Sequence, residues 1–197
     1  LPIYEFTKRC DKEYSKYAKT YDLLVKIFPI WKKWISKAIP HIKREKVLEI
    51  SFGTWYLLTQ YASQYEIYGI DFNKNLIEIT KNNLKKKNIK ANIQQGSVEK
   101  LPFKNNFFDS IINTMAFSGY PDGKLALSGL TRVLKPNGKL IIIDFNYPKN
   151  KNKIWIFITI FMEKSGDIIR NMDLLFNAHN LEYTDKKIGA FDRVHLY

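Results

Sequence analysis

The sequence predicts an α/β domain in which a seven-stranded, mostly parallel sheet is covered by helices on both faces. Two observations lead to this prediction. Short apolar segments alternate with amphipathic segments over residues 46–145, and the last two predicted strands, near the end of the chain, have no helix between them. The alternation is typical of parallel strands joined by right-handed crossovers. The final pair is expected to form an antiparallel hairpin at one edge of the sheet.

The predicted strands are short. The first five are residues 47–50, 67–70, 91–95, 108–113 and 140–145, and the hairpin comprises 182–189 and 193–197. The fifth strand, LIIIDF, begins with four consecutive apolar residues, as expected for a strand that is covered on both faces. Helices are predicted over residues 55–62, 73–84 and 122–134 and within 153–180. Residues 11–39 also have a helical pattern, interrupted at Pro29.

Composition excludes several classes of protein. A chain of 197 residues with 45% hydrophobic residues suits one globular domain. Cys10 is the single cysteine, so neither an internal disulfide nor a thiolate metal site is expected, and a reducing compartment such as the cytoplasm is indicated. The longest apolar run, residues 154–161, is too short to span a bilayer.

The formal charge of +13 leaves a polyanionic partner open. Lysine far outnumbers arginine, however, and specific phosphate and base recognition favours arginine. Lysine, asparagine and isoleucine are abundant together, as AT-rich codons would produce. A nucleic-acid partner is therefore disfavoured, although it is not excluded.

The segment Val47–Ala62, VLEISFGTWYLLTQYA, predicts a ligand site. It has the order strand, acidic residue, glycine-containing turn, helix, in which backbone N–H groups at the helix start face a ligand. About twenty residues later a second strand ends in Asp71, whose carboxylate can accept ribose hydroxyls. The two features together predict a nucleoside site at the carboxyl edge of the sheet.

These residues resemble the class I S-adenosylmethionine-dependent methyltransferases. Glu49, Ser51, Gly53 and Trp55 fall on the family's acidic-x-Gly-x-Gly-x-Gly motif. GSVEKLPFKNNFFD, residues 96–109, and LTRVLKPNGKLIIID, residues 130–144, resemble signatures of the type 11, UbiE-like branch. The resemblance extends from about residue 14 to residue 197. It implies a Rossmann-like fold in one domain, 1–197, with a lid at 1–40, a cofactor-binding core at 46–145 and acceptor-side elements at 146–197.

The resemblance implies S-adenosylmethionine as methyl donor and S-adenosylhomocysteine as product, and it assigns roles to matching positions. The methionine end is assigned to Glu49, Ser51, Gly53 and the backbone of Asn113. The ribose is assigned to Asp71, and the adenine to Phe72, Gly96, Ser97 and Val98. Tyr17 and Tyr21, in an N-terminal Tyr-x-x-x-Tyr-Asp pattern, are expected to form the lid.

Three positions depart from the family pattern. Ser51 replaces the first glycine, a mild change if its φ is negative. Ser97 replaces the usual aspartate and so exchanges a charged acceptor near the adenine amine for a hydroxyl. Trp55 replaces the third glycine, and its ring either faces outward or intrudes on the donor site. We expect the outward arrangement.

The acceptor is expected to be a small or lipid-like molecule. Phe117, Tyr120, Asp167 and Arg170 are the candidates for contacting it. No catalytic residue is assigned, because alignment and desolvation can supply most of the acceleration of an in-line methyl transfer. No metal site is predicted, since the three histidines lack ligand spacing.

Three alternatives remain open. The first is a non-catalytic scaffold protein in which Trp55 has made the donor site unable to function. The second is a nucleic-acid methyltransferase, disfavoured because Asn113-Thr114-Met115-Ala116 lacks the Pro-Pro-aromatic run that grips a flipped base. The third is a peripheral membrane enzyme, because Trp31, Trp34 and Ile35 interleave with lysines. The sequence leaves the oligomeric state open.

Overall fold

The computed structural model describes residues 29–53, 55–146, 153–164, 167–190 and 193–197. Seven strands form one sheet in the order β3-β2-β1-β4-β5-β7-β6. They are β1 (Lys46–Ile50), β2 (Glu66–Asp71), β3 (Asn92–Gln95), β4 (Phe108–Thr114), β5 (Leu134–Phe145), β6 (Lys186–Gly189) and β7 (Val194–Leu196). The first five are mutually parallel, and β7 runs antiparallel to both β5 and β6. The predicted sheet and its hairpin are confirmed.

The helices of the described residues follow the predicted alternation. They are α1 (Pro29–Ile35), α2 (Leu58–Tyr61), α3 (Lys74–Lys86), α4 (Gly123–Val133), α5 (Lys153–Lys164) and α6 (Met172–Ala178). A 3-10 helix, Ser36–His41, continues α1. Side-chain caps fix the starts of α3, α4 and α6, the last through Asn171. Asn73 accepts a hydrogen bond from the backbone of Leu76 at α3, and Asp122 caps α4 in the same way.

Both faces of the sheet are covered by an apolar core. Successive residues of β1 show this, because Val47 belongs to one buried cluster and Leu48 to the other. Helices α1 to α3 contribute to the first cluster, and α4 and α6 contribute to the second. The strands are thus apolar on both sides, and polar groups concentrate where they end.

The structure does not support a membrane role for the interleaved tryptophans. Trp31 and Trp34 pack against the first core cluster, and Ile35 is buried in it. Trp34 lies against Gly189 of β6, where a larger side chain would collide with the indole. The predicted lid residues Tyr17 and Tyr21 lie outside the described residues.

Candidate functional site

Two adjoining clefts open at the carboxyl ends of β1, β2 and β4. The first is lined in part by Gly96, Ser97, Val98 and Glu99, and the second by Gly53, Asp71, Leu76 and Thr114. Ser51, Phe72, Gly119 and Tyr120 line both clefts. The clefts are therefore two parts of one depression, at the edge of the sheet where parallel α/β folds bind ligands.

The turn after β1 is left-handed at alternate residues. The φ angles of Ser51, Gly53 and Trp55 are 52°, 55° and 75°. The backbone N–H of Ser51 donates to the carbonyl oxygen of Ile70 at 2.7 Å, which holds the turn against β2. Our expectation that serine is a mild replacement required a negative φ, and the structure shows a positive one. A side chain costs about 1–2 kcal/mol in this conformation, which explains why the family has glycines here.

Trp55 turns its ring away from the clefts. It lines neither of them, and the ring centroid lies 5.5 Å from Lys87 Nζ, just beyond the end of α3. Among the described residues its buried Nε1 has no hydrogen-bond partner. The helix predicted from residue 55 begins only at Leu58, because the φ of Trp55 is not helical. The outward arrangement is thus the one the structure contains.

The positive φ of Trp55 predicts an unusual order of stabilities. Trp55→Ala should lower the free energy of unfolding by about 2–3 kcal/mol, because packed ring area is lost. Trp55→Gly should lower it by about 1 kcal/mol less, because glycine accepts the left-handed backbone without strain. Urea denaturation of both variants measures the difference. An alanine variant as stable as the glycine variant would contradict this account of the turn.

Glu49 lies beneath the turn as a buried acid. Its side chain is 1% exposed, and the hydroxyl of Tyr61 on α2 donates to Glu49 Oε2 at 2.5 Å. Burial raises the pKa of the Glu49 carboxyl to about 8, although the bond from Tyr61 opposes the shift. Glu49 lines neither cleft, so its contact with the methionine end stays a prediction.

Asp71 lines the second cleft at the end of β2. Its side chain is buried, and its Oδ1 accepts a hydrogen bond from the backbone N–H of Asn73 at 2.9 Å. The next residue, Phe72, lines both clefts, and its carbonyl oxygen accepts from Gln95 Nε2 at 2.9 Å. The end of β2 thus holds the backbone of Asp71 and Phe72 in a fixed position, and with it their carboxylate and aromatic ring.

Tyr120 stands between the two clefts. Its hydroxyl lies 3.0 Å from Ser51 Oγ and accepts a hydrogen bond from Asn113 Nδ2 at 2.5 Å. Burial raises the pKa of Tyr120 well above its ordinary value. The structure therefore places this predicted acceptor residue with the residues predicted for the donor. Asn113 Oδ1 is buried and has no partner among the described residues.

Arg170 holds the loop that carries Tyr120. Its guanidinium donates to the carbonyl oxygens of Phe117 and Ile168 at 3.0 and 3.1 Å, and to those of Tyr120 and Pro121. Phe117 is buried, with its ring centroid 5.5 Å from that of Tyr120. Arg170 and Phe117 support the wall of the clefts from behind, and neither of them lines a cleft. Their predicted contact with the acceptor stays a prediction.

A second carboxylate at this edge was not predicted. Asp144, near the end of β5, is 1% exposed and accepts from the backbone N–H groups of Ser118 and Phe145 at 2.9 and 2.7 Å. Burial raises its pKa to about 6. The predicted acceptor residue Asp167 also has a raised pKa because of burial, opposed by a hydrogen bond with Ser118. Asp144, like Asp71, lies near the end of a strand, and that position is the signal that could have identified it from the sequence.

Comparison with known proteins agrees with this geometry. A family model described as a methyltransferase domain matches residues 48–142, which run from β1 through most of β5. Residues 48–142 form a methyltransferase domain of the class I type. The matched residues include the carboxyl ends of β1, β2 and β4, where both clefts open.

The chain is similar in sequence to two proteins named ubiquinone/menaquinone biosynthesis C-methyltransferase UbiE. The protein from Francisella philomiragia is 31% identical over 75% of this chain and 64% of its own length. That from Cellvibrio japonicus is 30% identical over 77% and 65%. The chain thus spans slightly less than two thirds of these relatives. The structure of YcgJ from Bacillus subtilis, with 23% identity, covers 79% of this chain and 69% of its own with a TM-score of 0.67, which supports the fold.

Proposed function

We propose that this methyltransferase binds S-adenosylmethionine across the two clefts and transfers its methyl group to a small, lipid-like acceptor. The observation that carries the proposal is the continuity of the clefts, which share Ser51, Phe72, Gly119 and Tyr120. The adenine suits the first cleft. The ribose and the methionine half suit the second cleft, which Asp71 lines.

The residues present fit this cofactor. Asp71 offers a carboxylate suited to the ribose hydroxyls, and Phe72 offers an aromatic ring suited to the adenine. Ser51 and Gly53 provide the turn at the methionine end. Glu99 lines the first cleft and has a buried oxygen without a partner among the described residues, which suits a ligand with an N–H or O–H donor.

The chemistry requires mainly alignment. When bound, S-adenosylmethionine supplies a methyl group on a positively charged sulfur, which is already activated for displacement. The chain's residues orient the two partners and exclude water from them. If the acceptor must lose a proton, we propose the half-buried carboxylate of Asp167 as the base, since Asp144 is enclosed by backbone N–H groups.

The acceptor that best fits is an aromatic, quinone-like ring carrying an apolar tail. The names of the two curated relatives refer to C-methylation in ubiquinone and menaquinone biosynthesis, and we extend that chemistry to this chain. An exposed apolar face on α5 supports a lipid-like substrate. Ile156, Phe157 and Ile160 are 36%, 70% and 43% exposed there. No helix among the described residues has the length and apolarity needed to cross a membrane.

The scaffold alternative loses its main support. It required the indole of Trp55 to fill the donor site, whereas the ring lies against Lys87 outside both clefts. A sequence-selective complex with DNA or RNA at physiological salt would still favour a nucleic-acid acceptor.

Asp71 provides the test of the proposed donor site. Asp71→Ala should weaken binding of S-adenosylhomocysteine by about 1.5–3 kcal/mol, because a charge-assisted hydrogen bond is lost. Isothermal titration calorimetry measures the change. Glu66→Ala is the matched control, since Glu66 begins the same strand at the opposite edge of the sheet. Unchanged affinity in the Asp71 variant would remove Asp71 from the site, and no binding by the unmodified protein would refute the proposal.

A further inference from the structure

The segment after β3 places Glu99 in the lining of the first cleft. The backbone N–H of Gly96 donates to the carbonyl oxygen of Asp71 at 3.0 Å, which places the segment beside the end of β2. Ser97 then caps a short 3-10 turn, Val98–Lys100. Its hydroxyl donates to Glu99 Oε2 at 2.8 Å and accepts from the backbone N–H of Glu99 at 3.3 Å. Ser97 thus fixes the direction of the Glu99 side chain.

The other carboxylate oxygen of Glu99 lacks a donor. Glu99 Oε1 is buried, and no group within the described part of the chain hydrogen-bonds to it. Glu99 is one of the residues that line the first cleft. Because a buried carboxylate oxygen is costly to leave unpaired, this arrangement suits a ligand that brings an N–H or O–H group to that point.

The rest of the lining indicates which donor fits. Ile70, Phe72, Val98 and Pro121 give the first cleft apolar and aromatic walls suited to a flat heterocycle. A carboxylate in such a cleft accepts from an exocyclic amine, whereas it repels a carbonyl oxygen at the same place. Glu99 therefore has the chemistry to select an aminopurine over an oxopurine.

We infer that Glu99 accepts a hydrogen bond from the 6-amino group of the donor's adenine, and that Ser97 holds the carboxylate in place. This inference rests on the proposed function. It assigns to Glu99 the charged contact that appeared to be lost when serine replaced the family's aspartate at position 97. The charged acceptor has moved two residues along the chain, and the serine has become its support.

A pair of ligands that differ at one group tests the assignment. Calorimetry compares S-adenosylhomocysteine with S-inosylhomocysteine, in which an oxygen replaces the 6-amino group. The unmodified protein should prefer the amino ligand by about 10- to 100-fold, because the oxo group loses the bond and faces the carboxylate. Glu99→Gln should reduce that preference to within about threefold, since an amide can donate to the oxo group as well as accept from the amine.

Two further variants separate this effect from a general loss of affinity. Ser97→Ala should give an intermediate preference, because the carboxylate remains but loses its support. Glu78→Gln, an exposed position on α3, should leave the preference unchanged. Equal affinity of the unmodified protein for both ligands, or an undiminished preference in Glu99→Gln, would overturn the assignment while the proposed donor site stood. Failure of the unmodified protein to bind either ligand would refute both.

Discussion

Replacing Glu49 by glutamine should abolish most of the fall in the free energy of unfolding that the protein shows between pH 5 and pH 8. The pKa of the Glu49 carboxyl is about 8 in the folded protein and 4.5 in an ordinary environment. The folded state therefore binds a proton that the unfolded state has released across this range, so the free energy of unfolding falls as pH rises. The expected fall is roughly 3–4 kcal/mol, and it ends near pH 8.

Urea denaturation of the unmodified protein and of Glu49→Gln over this pH range measures the effect. Glutamine keeps an acceptor for the hydroxyl of Tyr61, so the variant should still fold. Asp144, whose pKa of about 6 is also raised, contributes equally to both proteins and cancels in the difference. Parallel stability curves for the two proteins would show that Glu49 is ionised in the folded state.

Arg170→Met should both destabilise the protein and weaken donor binding. The guanidinium donates to four backbone carbonyls, and its loss leaves partly buried acceptors unpaired at a cost of about 2–3 kcal/mol. The loop that carries Tyr120 would then lose the support that holds the phenol between Ser51 and Asn113. Affinity for S-adenosylhomocysteine should fall, because the wall shared by both clefts becomes mobile.

Lys135→Met supplies a control for destabilisation alone. Lys135 Nζ lies 2.9 Å from Asp109 Oδ1, at the amino end of β4 and away from both clefts. The control should lose stability and keep its affinity for S-adenosylhomocysteine. Calorimetry and denaturation of the two variants separate the effects. If Arg170→Met binds with unchanged affinity, Arg170 acts on stability only, and its predicted role near the acceptor would also lose support.

The sequence was sufficient to predict the sheet because its signals are local. Alternating apolar segments, the cap at Asn73 and the acidic strand end at Asp71 each depend on a few neighbouring residues. Residues 136–138, Pro-Asn-Gly, form a bulge within β5, where the pairing passes from Phe108–Leu134 to Ser110–Lys139. Its residues still have turn conformation, as the φ of 61° at Asn137 shows.

The parts that the sequence did not reveal depend on distant contacts. Tyr120 reaches Ser51 and Asn113 because Arg170, fifty residues further along the chain, fixes its loop. The positive φ of Ser51 follows from the path of the chain between β1 and β2, and the residue types there do not predict it. The family motif points to Ser97, whereas the role inferred for Glu99 depends on a side-chain contact with that serine.

A crystal structure of the protein with S-adenosylhomocysteine tests the central claim most directly. The account predicts one ligand across both clefts, with its ribose hydroxyls at the carboxylate of Asp71 and its adenine against Phe72. The 6-amino group should lie within about 3 Å of Glu99 Oε1, as a hydrogen bond requires. A ligand bound at another edge of the sheet, or one whose ribose lies away from Asp71, would contradict the account.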